Sequence, residues 1–329
     1  MSEIPSSSRR IAGEAALVCV LTAACASTKS ALLLLTVSCL IFLITYGIGR
    51  LFRSTDGAPS QALYPLAVSL AGIGQLAMLA FRPSWWAELS PVLYYVLAFM
   101  AGGVAASRSP SDTRRPVQPM WLAIGCVILG AVREWLAAGT LFGLSVPGGG
   151  WTTDFRLGGL GLMLAALLLV VLRIRQRFLW PYTIRESVTA GGWWLLVVLP
   201  VGLVTRILIE LPLFTGLSPF LLAVLLSVIS WLLGGLIRSG AARDALDDPV
   251  LAAGAFALLF SFTTVSPTVG DWGSAIGRLI TAALLIGIGI PVAGAILKRV
   301  DSSGLPEPVR STPLMLILAG LAVYACGAF

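Results

Sequence analysis

The sequence predicts an all-α polytopic membrane protein of about eleven transmembrane helices, and three observations carry that expectation. Hydrophobic residues make up 57% of the chain and charged residues only 11%, with a mean hydropathy of +0.94. A water-soluble fold of this composition could not cover its apolar surface, so a bilayer must be the solvent. The apolar residues also fall into runs of about 17 to 25, and roughly 20 residues rising ~1.5 Å each cross a hydrocarbon core of ~30 Å. The weaker alternation of a membrane β-barrel is missing. Finally, the cations gather in short connectors between those runs.

Taken in order, the first apolar run, near 11–27, follows "MSEIPSSSRR" without a small-residue cleavage site and reads as a retained helix. Runs bounded by charge, Pro or Gly then predict spans near 30–51, 62–81, 86–106, 118–137 and 157–174. A basic connector at 176–189 divides this first half, 1–175, from the second, 190–329. The second half offers spans near 190–210, 217–237, 249–266, 273–297 and 312–328, and Pro200 and Arg206 mark the first of these as a candidate for a break.

The formal charge of +7 is spread through connectors and not along one soluble face, so it signals topology and not nucleic acid. Arg9 and Arg10, Arg50 and Arg53, Arg108, Arg114 and Arg115, and Arg173, Arg175, Arg177 and Arg185 occupy alternate connectors, continued by Arg238 and Arg243 and by Lys298, Arg299 and Arg310. The positive-inside rule makes that face cytoplasmic, with the N-terminus inside and the C-terminus outside a prokaryotic inner membrane. Opposite connectors hold Lys29, Arg82, Arg133 and Arg156, and Trp85, Trp86, Trp151 and Trp272 stand where interfacial anchors belong.

Cys19, Cys25, Cys39, Cys126 and Cys326 all lie in apolar runs, with no CxxC pair and no histidine. That excludes a His-ligated zinc or haem site and argues against structural disulfides. "VPGGGW" lacks the Lys-Ser/Thr of a phosphate cradle and reads as a flexible turn, as does "GDWG". The connectors are too short for a soluble catalytic domain.

The stretch "VREWLAAGTLFG", residues 132–143, ends an otherwise uncharged helix on a cation and a carboxylate. Two readings of Glu134 stay open: an interfacial carboxylate paired with Arg133 or a neighbouring helix, or a cation-path carboxylate, since ionisable groups at membrane depth are usually paired or functional. Gly139 and Gly143 frame "TLF" and predict a re-entry whose Leu-Phe edge packs back into the bundle, with Arg133 and Glu134 capping the stop. Arg206 and Glu210, at i and i+4, form either a self-neutralising pair or a second polar position on an ion path.

"ILGAVREWLAAGTLFG" resembles the end of the fifth helix in the RnfE/NqrD membrane subunits of Rnf and NQR complexes, and "LTAACASTKSALLLLTV" resembles their first polar break and second helix. The resemblance covers roughly residues 11–175. The C-terminal "AGAILKRVDSSGLPEPVRSTPLMLILAGLAVYACGAF" is similar to the end of the sister subunits RnfA/NqrE, and "LIELPLFTGLSP" to their first break. The chain therefore looks like two related, partly inverted repeats fused, the second shortened. An internal likeness of "TAACASTKSALLLLTVSCLIFLITYGIGRLFRS" to "LFTGLSPFLLAVLLSVISWLLGGLIRS" points the same way.

Such a resemblance implies an iron–sulfur cluster held near mid-membrane by thiolates from both subunits. Here the matching positions are Leu21, a place near Met100, and Leu211 with Pro212. Only Cys19 or Cys25 could approach such a site, so a [2Fe–2S] cluster would need ligands from partner chains. The expectation is a non-catalytic or accessory membrane subunit of an ion-translocating electron transport complex, partnered by other membrane and redox subunits and by lipid. A stand-alone secondary transporter and a structural accessory subunit of another membrane complex are the alternatives.

Overall fold

A computed structural model describes residues 27–53, 63–81, 91–107, 117–150, 163, 166–167, 182–209, 217–237, 240–264 and 272–301. The predicted spans 11–27 and 312–328, and nearly all of 157–174, lie outside the described residues. Nine helices are described, α1 (Thr28–Arg53), α2 (Leu63–Phe81), α3 (Pro91–Ser107), α4 (Val117–Ala138), α5 (Ile184–Ile209), α6 (Ser218–Leu236), α7 (Gly240–Leu246), α8 (Pro249–Thr264) and α9 (Trp272–Asp301), with one hairpin, β1 (Thr140–Leu141) and β2 (Leu144–Ser145), after α4.

Four of these helices contain stretches long and apolar enough to cross a bilayer: Thr28–Gly49, Ile184–Ile209, Ser218–Leu236 and Trp272–Ile296. Their outward faces carry Leu40, Leu43, Leu196, Leu236 and Ile288, all more than half exposed. In water that surface would drive aggregation; against lipid chains it is the expected exterior of a membrane protein.

Helix starts follow local chemistry. Proline, tolerated in a first turn because its missing N–H would be unpaired there anyway, opens α3 at Pro91 and α8 at Pro249 and stands in the first turn of α6 at Pro219. At α5 the Glu186 carboxylate accepts from Thr183 N–H (2.7 Å) while Thr183 Oγ1 accepts from Glu186 N–H (3.3 Å), a reciprocal capping box. That box starts the helix at Ile184, inside the stretch 176–189 expected to be connector.

Helix α5 also runs unbroken through Pro200 and Arg206, so the candidate break there is not formed. A proline inside an isolated helix costs about 3 kcal/mol, but α9, with its own internal Pro291, packs along α5, and packed neighbours support such positions in membrane helices. The pair is antiparallel: Gly191 lies against Gly287, Gly202 against Leu279, and Arg206 over the Trp272 ring. A β-carbon on Gly191 would sit 2.2 Å from the Gly287 carbonyl oxygen, so only glycine permits this backbone contact. "GDWG" is correspondingly not all turn, since Trp272 and Gly273 begin α9.

The core joins both halves of the chain. Tyr94, Tyr95 and Phe99 of α3 pack with Trp194, Val197 and Val201 of α5, Leu222 and Leu226 of α6, and Phe256 of α8. Tyr94 donates to the Ala71 carbonyl of α2 (2.7 Å), and Tyr95 donates to Gln75 Oε1, so the buried phenols stay paired inside the bundle. Helix α1 lies on α3 and reaches α4, which leads to the hairpin.

Candidate functional site

The segment 132–145 and the start of α1 form one polar unit. Ser27 precedes α1, and its hydroxyl accepts from Ser30 N–H while Ser30 Oγ accepts from Ser27 N–H, both at 3.2 Å. The next amide points away from its own helix into the protein. Thr28 N–H donates to Glu134 Oε2 at 2.7 Å, and Thr28 Oγ1 donates to the same oxygen at 2.6 Å. The carboxylate thus caps a helix 106 residues away in sequence, where the positive end of the helix dipole favours an anion.

The other carboxylate oxygen holds the hairpin. Oε1 accepts from Gly143 N–H (2.9 Å) and from Thr140 Oγ1 (3.2 Å). Four donors therefore converge on one side chain that is only 6% exposed, beside Thr28 and Arg133 at 1% each. Arg133 and Glu134 are interior groups of the fold, the carboxylate pairs with a neighbouring helix as one reading of the sequence allows, and burial of a charge demands this degree of pairing.

Nor do these residues cap the end of α4, as the sequence suggested. The helix continues one more turn to Ala138, and Gly139, at φ 65°, supplies the left-handed residue that ends it. Gly139 N–H and Gly150 N–H both donate to the Trp135 carbonyl, at 2.9 and 3.0 Å. "VPGGGW", read as a flexible turn, folds back through residues 146–150 as part of this helix terminus.

Thr140 pairs with Ser145 and Leu141 with Leu144, leaving Phe142 and Gly143 as the turn, at φ 53° and 78°. Two positive φ values define the mirror-image turn that suits strand twist. Of the Leu141–Phe142 edge only the leucine is half-buried; Phe142 is 57% exposed and does not pack back. Because left-handed backbone costs an ordinary residue about 1 to 2 kcal/mol, Phe142→Asn is expected to stabilise the hairpin by up to about 1 kcal/mol. Slower hydrogen exchange at Gly143 and Val146 would register it; faster exchange would show that the Phe142 ring contributes more than its backbone costs.

The other candidates are dispersed. Arg206 stacks its guanidinium over Trp272, 5.9 Å from the ring centroid, a cation–π contact between residues too far apart in the chain for local pattern to pair. Glu210, Leu21, Leu211, Pro212, Cys19 and Cys25 lie outside the described residues. Met100, near the position of an implied cluster thiolate, is 2% exposed in the hydrophobic core. A thioether among apolar side chains does not fit the thiolate ligation that a cluster needs there.

Thr28 was the missed participant. Its signal was present as "STKS", a run of N-cap residues before an apolar helix, but nothing local links it to Glu134. The arrangement can anchor a helix start and a hairpin to one carboxylate. Fold and site together describe a mostly helical membrane protein in which one buried acid joins a helix start to a hairpin. Comparison of the chain with known protein families, curated proteins and solved structures finds no match, so the likeness to Rnf and NQR subunits rests on the quoted motifs.

Proposed function

We propose that the chain is an integral membrane subunit of an Rnf/NQR-like redox-driven ion-translocating complex, a scaffold or ion-path subunit that holds no cluster of its own. One observation carries this reading. The two segments of the first half that resemble RnfE/NqrD subunits, the polar break ending in "STKS" and the "REWLAAGTLFG" stretch, are tied together by Glu134 through Thr28, Thr140 and Gly143. Motifs that meet in space act as one unit, whereas chance likenesses in unrelated helices need not meet.

On this reading the chain has about eleven spans in two partly inverted repeats, in a prokaryotic inner membrane. The Arg-rich connectors put the N-terminus in the cytoplasm and Phe329 outside. Reporter fusions at Ser54, Arg115 and Arg177 should report one compartment and a fusion at Phe329 the other. Phe329 reporting with Arg177 would reject the arrangement.

Native purification followed by subunit identification tests the function. Flavin- or cluster-bearing subunits in stoichiometric amount, with no iron in the separated chain, are expected. Purification alone together with solute uptake would replace this reading by a secondary transporter, and a partner set without redox groups by a structural accessory role. Stoichiometric iron in the isolated chain, lost on Cys25→Ser, would overturn the cluster-free assignment.

A further inference from the structure

Helix α7 and the two residues after it form a buried connector between α6 and α8. Trp194 of α5, fully buried, donates its indole N–H to the Ala245 carbonyl (3.1 Å). Tyr182 donates to the Asp244 carbonyl (3.2 Å) and to Asp248 Oδ2 (3.3 Å). Ala245 and Leu246 are 0% exposed. Into this packing projects Asp247, whose side chain is 8% exposed and neither of whose carboxylate oxygens has a hydrogen-bond partner among the described residues. It faces α6 at Gly234, where a β-carbon would stand 2.6 Å from Oδ1, so the glycine is what leaves room for the acid.

A buried carboxylate without donors is at odds with ordinary practice inside proteins, where each such oxygen finds a partner. Among the described residues its nearest cation is Arg243, one turn earlier, at 3.6 Å. That is too long for a hydrogen bond, and the Arg243 side chain is 46% exposed. Packed elements supply little else. Helices α6 and α8 carry no titratable side chain. In the first turn of α5, Arg185 points to the exterior and Glu186 is engaged with Thr183. The remaining ionisable neighbours among the described residues are Asp244 and Asp248 of the connector itself and the Tyr182 phenol.

We propose that Asp247 is a proton-binding site whose occupancy docks α7 against α6, making this connector an acid-tightened clasp. A proton removes the desolvated charge and gives one oxygen a donor for a neighbouring carbonyl, whereas the ionised form is favoured when α7 lifts into water. Burial, opposed by Arg243 and reinforced by Asp244, pushes the carboxyl from 3.8 up to about 6. The sign follows directly: docking favoured by the proton is complete below the ordinary carboxylate range and is lost as pH rises through about 6.

Hydrogen exchange of residues 240–248 in the full-length protein, corrected for intrinsic rates, tests this. Opening of α7 should rise about tenfold from pH 5 to 7.5, the ratio expected for a carboxyl that titrates near 4 when open and near 6 when docked. Asp247→Asn should abolish the pH dependence. Arg243→Gln, which removes the opposing cation, should move the midpoint to higher pH. Equal protection of the parent at both pH values, or an Asp247→Asn protein that keeps the parent profile, would overturn the proposal. If Asp247→Asn fails to fold, Arg243→Gln is decisive, since an unmoved or more acidic midpoint sinks it. The result bears on this connector alone, whatever complex the chain belongs to.

Discussion

Glu134→Ala is expected to cost at least about 3 kcal/mol of fold stability, seen as a loss of purified yield and an early unfolding transition in chemical denaturant. Hydrogen bonds to a charged group contribute about 1.5 to 3 kcal/mol, and each buried donor left without an acceptor costs about 1 to 3 kcal/mol. Alanine leaves the two buried donors Thr28 N–H and Thr28 Oγ1 without their acceptor, and releases Gly143 N–H and Thr140 Oγ1 at the half-buried hairpin end.

Glu134→Gln separates the two ends of the clamp. Its amide oxygen can serve Thr28, but its NH2 then faces the Gly143 N–H, donor against donor. A cost of about 2 kcal/mol should fall mainly on the hairpin, with faster exchange at Gly143 and little change at Thr28. In a double-mutant cycle of Glu134→Ala with Thr28→Val, the loss should be less than additive, because both changes remove the bond between Thr28 Oγ1 and the carboxylate. Ion-dependent turnover per folded molecule should stay close to the parent, since protein donors already occupy both oxygens. Full yield with lost turnover would instead place Glu134 on an ion path.

The second large effect is expected at Gly191. Alanine there puts a methyl group 2.2 Å from the Gly287 carbonyl oxygen, so α5 and α9 must separate, at about 1 to 3 kcal/mol for overpacking. Leucine should exceed that range and prevent assembly of the pair. Gly192 is the control. A β-carbon at Gly192 meets nothing within 4 Å, and Gly192→Ala should be neutral or stabilising by up to about 1 kcal/mol through helix propensity. Equal effects at the two positions would mean that the close α5–α9 crossing is wrong.

Much of the architecture was legible because hydropathy and helix punctuation are local. The predicted span 30–51 became Thr28–Arg53, 217–237 became Ser218–Leu236, and 249–266 became Pro249–Thr264. Where the reading failed, a local signal had been misweighed or was absent. The Thr183–Glu186 box marked the start of α5 within an assumed connector, and Pro200 suggested a break that packing against α9 prevents. Helix α7 is too short to give a periodic signal.

The sequence by itself determined that this protein lives in a bilayer, where its helices run, and that Glu134 and the glycines after it are unusual. Those properties depend on composition and on neighbours a few residues apart. Only the tertiary structure decided that Glu134 caps the helix at Thr28, that Gly191 is a contact while the identical Gly192 is not, and that Asp247 is shut in beneath α6. Each depends on which helix faces are pressed together by chain segments far apart in sequence, and side-chain environment, unlike hydropathy, is set by those distant neighbours.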